Sequence, residues 1–451
     1  MKMKKPILIL LAILISSTLM LGLFLSTQAL RKCDLEEDLV CFNDELKRYE
    51  FEEGASLVVE VDNAEYGLAL ETLWNTTYPD HPDRLKTLLI EEEGSKEIQY
   101  VGAHEAALQY DQLYALSEFE FNRPDQISSE LNVEGKRFLA YTGEGFVFLT
   151  NKTKLEELGY PWVDANNNYL HDEFESFEKM LAQSETLSQS PNSLVLALND
   201  RFSFYPYLTA YGWNLFESYS SFEPGIEKEE FLNALMFIER LSTVNWEQSD
   251  ANLAEDYVWD YPLVMANDQF VFSQASNFMY LNEWDGKHAS EWVVSVFPKA
   301  EESSTEPLRP LLHDIKGYVL SKDVQYPSLA HEVMSFLSKA DALQVYVDTH
   351  TDIPLANLDV LSAIEFKDER SKQFAYAYQA SISEPLIAIQ DYPQHLAFAL
   401  YYDIDVMEVV RRLWNKELTP REAQIELAIV SDQWVNAHSK LFEGKIDVKS
   451  E

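Results

Sequence analysis

Residues 141–162 read YTGEGFVFLTNKTKLEELGYPW. From Gly143 to Asn151 the run is rich in aromatic and β-branched residues, the pattern of a largely buried strand. The next residues, Thr153 to Leu158, have the composition of a short helix, and Gly159 closes it as the residue that most easily takes the left-handed conformation past a helix end. One carboxylate interrupts the apolar run. Glu144 stands between Gly143 and Gly145, and glycines there let other backbone or a ligand come close. The competing reading of Glu144 is a solvated acid on a strand edge.

Working outward, the same alternation of strand and helix recurs. "LVVEVD" from Leu57 to Asp62 is a strand, and "EYGLALETLWNTTYP" follows with Leu68, Leu73 and Trp74 at helical spacing. "RLKTLLIE" and "EIQYVG" are two further runs of strand length, and "SLVLALN" from Ser193 is another. Strand, helix, strand in that order predicts βαβ units and a mostly parallel sheet, so the fold class is α/β. Helices dominate later. Phe231, Leu235, Ile238 and Leu241 share one face, "YPSLAHEVMSFLSKADALQVYVDT" is a helical stretch that restarts at Asp341, and Thr419, Pro420 and Glu422 form a cap, an N1 proline and a capping-box acid. "IKGYVLS" from Ile315 is a returning strand.

At 451 residues the chain exceeds what one core usually serves, so two or more lobes are expected. Seventy-six acids against 35 bases give a formal charge of −41. Such a field repels nucleic acid and anionic lipid and identifies no ligand. The first residues, MKMKKPILILLAILISSTLMLGLFLSTQAL, carry three lysines before an uncharged apolar run from Pro6 to about Leu25. Residues 1–29 therefore read as an export signal, with Thr27 and Ala29 suited to cleavage, or as an uncut membrane anchor. Either way the body of the chain lies outside the cytoplasm. Residues 30–50 read as an acidic tether. Its Cys33 and Cys41, the only cysteines, leave a short-loop disulfide or a lipid anchor on Cys33 as alternatives. Zinc and iron–sulfur chemistry have no ligand cluster to rest on. No G-x-S-x-G, P-loop, H-E-x-x-H or Rossmann glycine fingerprint occurs, so no catalytic motif supports an enzyme.

From Asp62 to about Val435 the order of segments resembles the extracellular solute-binding proteins of ABC importers, of the maltose/maltodextrin type. "YTGEGFVFLTNKTKL" is similar to the family's strand that carries a sugar-contacting acid into a "YNK-x-L" turn, with Thr150 in place of the tyrosine. "LNDRFSFYPYLTAYGWNLF" resembles its strand-to-helix segment, with Gly212–Trp213 in place of a double glycine. "FVFSQASNF" from Phe270 stands where the family has a strand leading to a stacking tryptophan, and Ser276 takes that position. "IKGYVLSKDVQYPSLAHEVMSFLSKADALQVYVDTHTDIP" resembles the returning strand, its packing helix and the proline-ended turn. The resemblance implies two α/β lobes joined by crossing strands. One comprises about 51–142 with 313–353, and the other about 145–298 with 356–445. A carbohydrate would lie in the cleft between them, and permease subunits would be partners of a monomeric binding protein. A ligand sensor that reports to a membrane receptor would share the fold.

A sugar cleft needs aromatic faces for pyranose rings and carboxylates or amides for hydroxyl pairs. Asp62 and Asn63 end the first strand, where open α/β sheets hold ligands, with Asp62 as a helix cap the competing reading. His104 and Glu105 follow another strand, and Asp200 and Phe202 another again; the resemblance puts sugar contacts at each pair. It implies stacking roles for Tyr205, Tyr207, Trp213, Tyr401 and Tyr402, against the reading that these are core. A separate motif is DANNNYLHDEFE, residues 164–175. Asp164, Asn166, Asn168, Leu170 (through its carbonyl), Asp172 and Glu175 hold the ligand places of a twelve-residue calcium loop, with Tyr169 where glycine is usual. The alternative is a turn followed by a helix that Asp172 caps with Glu175 as its capping-box partner.

Overall fold

The computed structural model describes residues 40–438 apart from 44, 103–104, 107–108, 110–111, 115–136, 191–192, 197, 199, 214, 216–223, 245–269, 278–289, 306, 311, 351–352, 355–357, 383–399 and 402. In chain order the described strands are β1 (Phe42–Asn43), β2 (Arg48–Tyr49), β3 (Leu57–Val61), β4 (Leu85–Leu89), β5 (Ile98–Gly102), β6 (Leu139–Gly145), β7 (Val147–Asn151), β8 (Phe272–Ala275), β9 (Trp292–Ser295) and β10 (Leu312–Leu320). The described helices up to the returning strand are α1 (Ala64–Thr77), α2 (Lys152–Glu157), α3 (Phe177–Ala182), α4 (Ser184–Leu187), α5 (Arg201–Leu208) and α6 (Glu229–Leu241). After it come α7 (Pro327–Leu337), α8 (Ala340–Thr349), α9 (Glu369–Ile382), α10 (Val406–Trp414) and α11 (Pro420–Ala437).

The first lobe is built on a five-stranded sheet in the order β4-β3-β5-β10-β6. β3 is parallel to β4 and β5, while β10 runs antiparallel to both β5 and β6, so β3, β4, β5 and β6 all point the same way. β3 is buried almost throughout, as a central strand covered on both faces requires. α1 covers it with Tyr66, Leu70 and Trp74, four residues apart and therefore on one stripe. α8 packs on α1, and Tyr346 meets Tyr66 and Tyr141 edge-on at 5.4 and 5.0 Å. Gly317 lets β10 sit tightly against β6: a Cβ there would lie 2.1 Å from the Leu139 carbonyl oxygen.

Residues 143–151 are not one strand. β6 ends at Gly145, Phe146 breaks the ladder, and β7 starts at Val147 in a different sheet, of order β8-β7-β9. Local β propensity runs unbroken through the crossing, whereas membership of a sheet is decided by distant partners: β10 for β6, and β8 and β9 for β7. Asn151 caps α2 by accepting from the Lys154 amide at 3.0 Å, so the helix opens one residue before Thr153. "SLVLALN" forms less than a strand. Its Leu194 makes a parallel bridge to Phe272, with Val195 N–H donating to the Phe272 carbonyl at 2.9 Å.

α5, α6, α10 and α11 gather the second lobe's core around Phe148, Phe174, Phe177, Phe204, Tyr207 and Leu235. α11 carries the expected capping box of Thr419 and Glu422 with Pro420 at N1. α9 packs on β9 and β7, and its Phe374 and Tyr378 join the first core where the two lobes meet.

Part of the acidic tether is a folded hairpin. β1 and β2 pair antiparallel and dock on α7, where Cys41 N–H donates to Ser328 Oγ, Ser328 Oγ donates to the Glu50 carbonyl, and Tyr49 N–H donates to Glu332. Glu52 accepts from the Ser328 and Leu329 amides at the N-terminus of α7. The end of the segment read as a tether is therefore anchored to the first lobe, and Glu52 just beyond it holds the helix amides. Cys41 is buried and disulfide-bonded; Cys33, the only other cysteine, lies outside the described residues. Residues 1–29 lie outside them too, and among the described residues no helix is long and apolar enough to cross a membrane.

Candidate functional site

The sheet directions bring the carboxyl ends of β3, β5 and β6 to one edge of the first lobe, the edge at which an open α/β sheet presents ligands. Asp62 follows β3, Glu105 lies just past β5, and Glu144 sits near the end of β6. β10 crosses this edge in the opposite direction and holds Lys316 level with Gly102 and Thr142. Lys316 is exposed, although its strand is central. A lone lysine in "IKGYVLS" was the only sequence signal for it. In the second sheet β8 is antiparallel to β7, so Ala275, Ser276 and Asn277 end beside the crossing. The 193–196 segment runs parallel to β8, and Asp200 follows it on that same side. Two sets of polar residues thus flank the chain's passage between lobes.

The first pair divides its labour, and the cap is not Asp62. Asn63 Oδ1 accepts from the Glu65 and Tyr66 amides at 2.8 and 3.3 Å, while its Nδ2 donates to the Thr349 carbonyl. Asp62 keeps 31% of its side chain exposed and, among the described residues, has one partner, His350 Nε2, 3.1 Å from Oδ1. Glu105 accepts from the Gly102 amide at 3.2 Å, closing the turn after β5, and is exposed. His104 and Tyr402 lie outside the described residues.

Glu144 is half-buried between buried neighbours, and its charge helps burial push the Tyr378 phenol up. Tyr378, on α9, is fully buried in the core beside the crossing. Its hydroxyl accepts from the Gly145 amide at 3.2 Å and lies 2.7 Å from the Gly145 carbonyl and 2.9 Å from Asn277 Oδ1. With Thr142 Oγ1 donating to the Ile353 carbonyl at 3.3 Å, this ties the crossing strand, β8 and α9 together. Asp200 caps α5 through the Phe202 amide at 3.0 Å. Burial pushes its carboxyl above the usual range despite hydrogen bonds from Phe202 and Ser203.

The aromatic expectations fare differently. Trp213 is 2% exposed and lies against Phe231 at 4.7 Å, with no face open for stacking. Tyr401 is 1% exposed and donates to the Arg201 carbonyl at 2.7 Å. Tyr205 and Tyr207 are core as well. Among the stacking candidates that are described, only Phe202 is half-buried.

The loop at 164–175 is held by its own oxygens. Asp164 accepts from the Asn168 and Tyr169 amides, Asn168 from the Leu170 amide, and Asp172 from the Ala165 amide, all at 2.9–3.0 Å. Asn166 Nδ2 donates to Glu175 at 2.6 Å. Asp172 is not a cap: His171 Nδ1 accepts from the Glu173 amide at the start of a short 3₁₀ turn, and Ser176 caps α3. Among the described residues no three His, Cys, Asp or Glu side chains gather as a metal site.

This architecture, two α/β lobes with polar sheet ends meeting where the chain crosses, is that of two-lobed extracellular solute-binding proteins. The solved structures bear this out. An extracellular solute-binding protein from Staphylococcus aureus in complex with maltose aligns with 13% identity over 86% of this chain and 99% of its own, at a TM-score of 0.61. A maltose-binding periplasmic protein from Listeria monocytogenes, also with maltose, aligns with 13% identity over the same shares at 0.62. A cyclo/maltodextrin-binding protein complexed with maltotetraose gives 12%, 85%, 98% and 0.61. No protein-family model and no curated protein sequence matches the chain.

Proposed function

We propose that this chain is the extracytoplasmic substrate-binding protein of an ABC importer, which takes a maltodextrin-like oligosaccharide between its lobes and presents it to membrane permease subunits as a monomer. The observation that carries the reading is the convergence of Asp62, Glu105 and Glu144 on the sheet edge from which the chain crosses to the second lobe. Carboxylates suit hydroxyl pairs, and closure of the lobes would bury them. The neighbours that hold maltose and maltotetraose support a carbohydrate. Lys2, Lys4 and Lys5 ahead of the apolar run support export, with residues 1–29 as signal or anchor. A receptor-coupled sensor would use the same cleft, and no observation on this chain favours it. The reading includes binding without turnover. Prolonged incubation of the pure protein with maltodextrins should leave their lengths unchanged by chromatography; shortened or rearranged products would overturn it.

We also propose that residues 164–175 take Ca²⁺. Asn167 and Tyr169, at places four and six of the loop, have φ of 54° and 63°, a conformation a tyrosine adopts only where the loop demands it. A site here would rest on the Asn166 and Asn168 amide oxygens and the Leu170 carbonyl as much as on carboxylates, so its affinity would be weak. Millimolar Ca²⁺ should raise stability over EDTA by about 1–2 kcal/mol, read as a higher Tm. Equal melting temperatures in the two buffers would reduce the loop to a self-bonded turn.

A further inference from the structure

Asp62 and His350 are separated by 288 positions in the chain and meet at the ligand edge of the first sheet. We infer that His350 is the positioning residue for Asp62: it pins one carboxylate oxygen so that the other is presented to a sugar hydroxyl. This rests on the carbohydrate reading given above.

Three features of the site support the role. His350 is itself fixed. Its ring stacks on Tyr346 at 4.1 Å with the planes 13° apart, meets Tyr66 edge-on at 5.2 Å, and keeps only 9% of its side chain exposed. Its other nitrogen is engaged as well: Nδ1 lies 3.1 Å from the Tyr346 carbonyl and 3.0 Å from Thr349 Oγ1. Donation from Nε2 to Asp62 Oδ1 requires the neutral ring to carry its proton on Nε2 and to accept at Nδ1 from the Thr349 hydroxyl, and the stack on Tyr346 holds the ring in that direction.

The second feature is that Asp62 needs support. It lies beyond the last ladder bond of β3, and its neighbour Asn63 has taken the capping work, so among the described residues no backbone amide restrains the Asp62 carboxylate. Among the described residues Oδ1 has His350 and Oδ2 has no hydrogen-bond partner. A carboxylate fixed before the ligand arrives does not lose that freedom on binding.

The third is connectivity. His350 ends α8, and the chain then reaches Ile353 and Pro354, which meet Thr142 of the crossing strand through a hydrogen bond and a β-bridge. The residue that holds Asp62 therefore lies a few positions from the segment that contacts the crossing strand.

The test is a double-mutant cycle on the full-length chain, titrated calorimetrically with maltotriose. Asp62→Asn and His350→Leu should each weaken binding about tenfold. The double variant should be no weaker than Asp62→Asn alone, because the histidine acts through the carboxylate. His350→Gln, which keeps a donor near the Nε2 position, should bind within about threefold of wild type, a rescue that a merely structural histidine would not show. Wild-type affinity in His350→Leu, or losses that add in the double variant, would overturn the inference. A wild-type chain that takes no malto-oligosaccharide would instead overturn the functional reading, and this inference with it.

Discussion

Alanine at position 317 is expected to cost about 3 kcal/mol of stability, the upper range for overpacking, because nothing soft lies in the way of its methyl. The added carbon would sit 2.1 Å from the Leu139 carbonyl oxygen and 2.9 Å from the carbonyl carbon, both backbone atoms of the neighbouring strand. Relief requires β10 and β6 to part, and that pair is the seam between the returning strand and the strand that crosses to the second lobe. The urea midpoint should fall accordingly, and the variant should also lose ligand affinity because Glu144 moves with β6. A midpoint within about 0.5 kcal/mol of wild type, the range of inert surface changes, would show that the strands are not packed this closely.

Glu144→Ala should do the opposite: leave the melting temperature nearly unchanged and weaken oligosaccharide binding by about 1.5–3 kcal/mol, the value of a hydrogen bond to a charged group. Glu144 is half-buried at the strand end and caps none of the described helices. Asp200 offers the contrast. Its carboxylate caps α5, so Asp200→Ala should lose stability by about 1 kcal/mol along with affinity, whereas Asp200→Asn keeps a capping oxygen and should lose affinity alone. Calorimetry and thermal melts on the three variants separate the two roles. Unaltered binding in both Glu144→Ala and Asp200→Asn would remove these residues from the site.

Local chemistry made much of the architecture readable. The strand and helix of the first βα unit are written in "LVVEVD" and the run after it, although of Leu68, Leu73 and Trp74 only Trp74 is buried and Tyr66 and Leu70 complete the stripe, and α11 announces itself through Thr419, Pro420 and Glu422. Where the reading failed, the deciding partner was remote. Asp62 and Asn63 are chemically equivalent capping candidates, and only the backbone of the finished turn assigns the cap to Asn63. Trp213 and Tyr401 have the composition of stacking residues and of core alike; packing against Phe231 and Tyr205 makes them core. Tyr378 and His350 carry no signal in their own segments, since each gains its role from a strand end more than 200 positions earlier. The hairpin at Cys41 read as a tether for the same reason: its partners Ser328 and Glu332 on α7 lie far along the chain.

The central claim is that the lobes hold a carbohydrate between the two polar edges. Calorimetric titration of the wild-type protein with a graded series from maltose to maltotetraose tests it most directly. One saturable site per chain, with a negative heat-capacity change from surface buried on closure, is the expected result. No heat and no saturation across the series would contradict it.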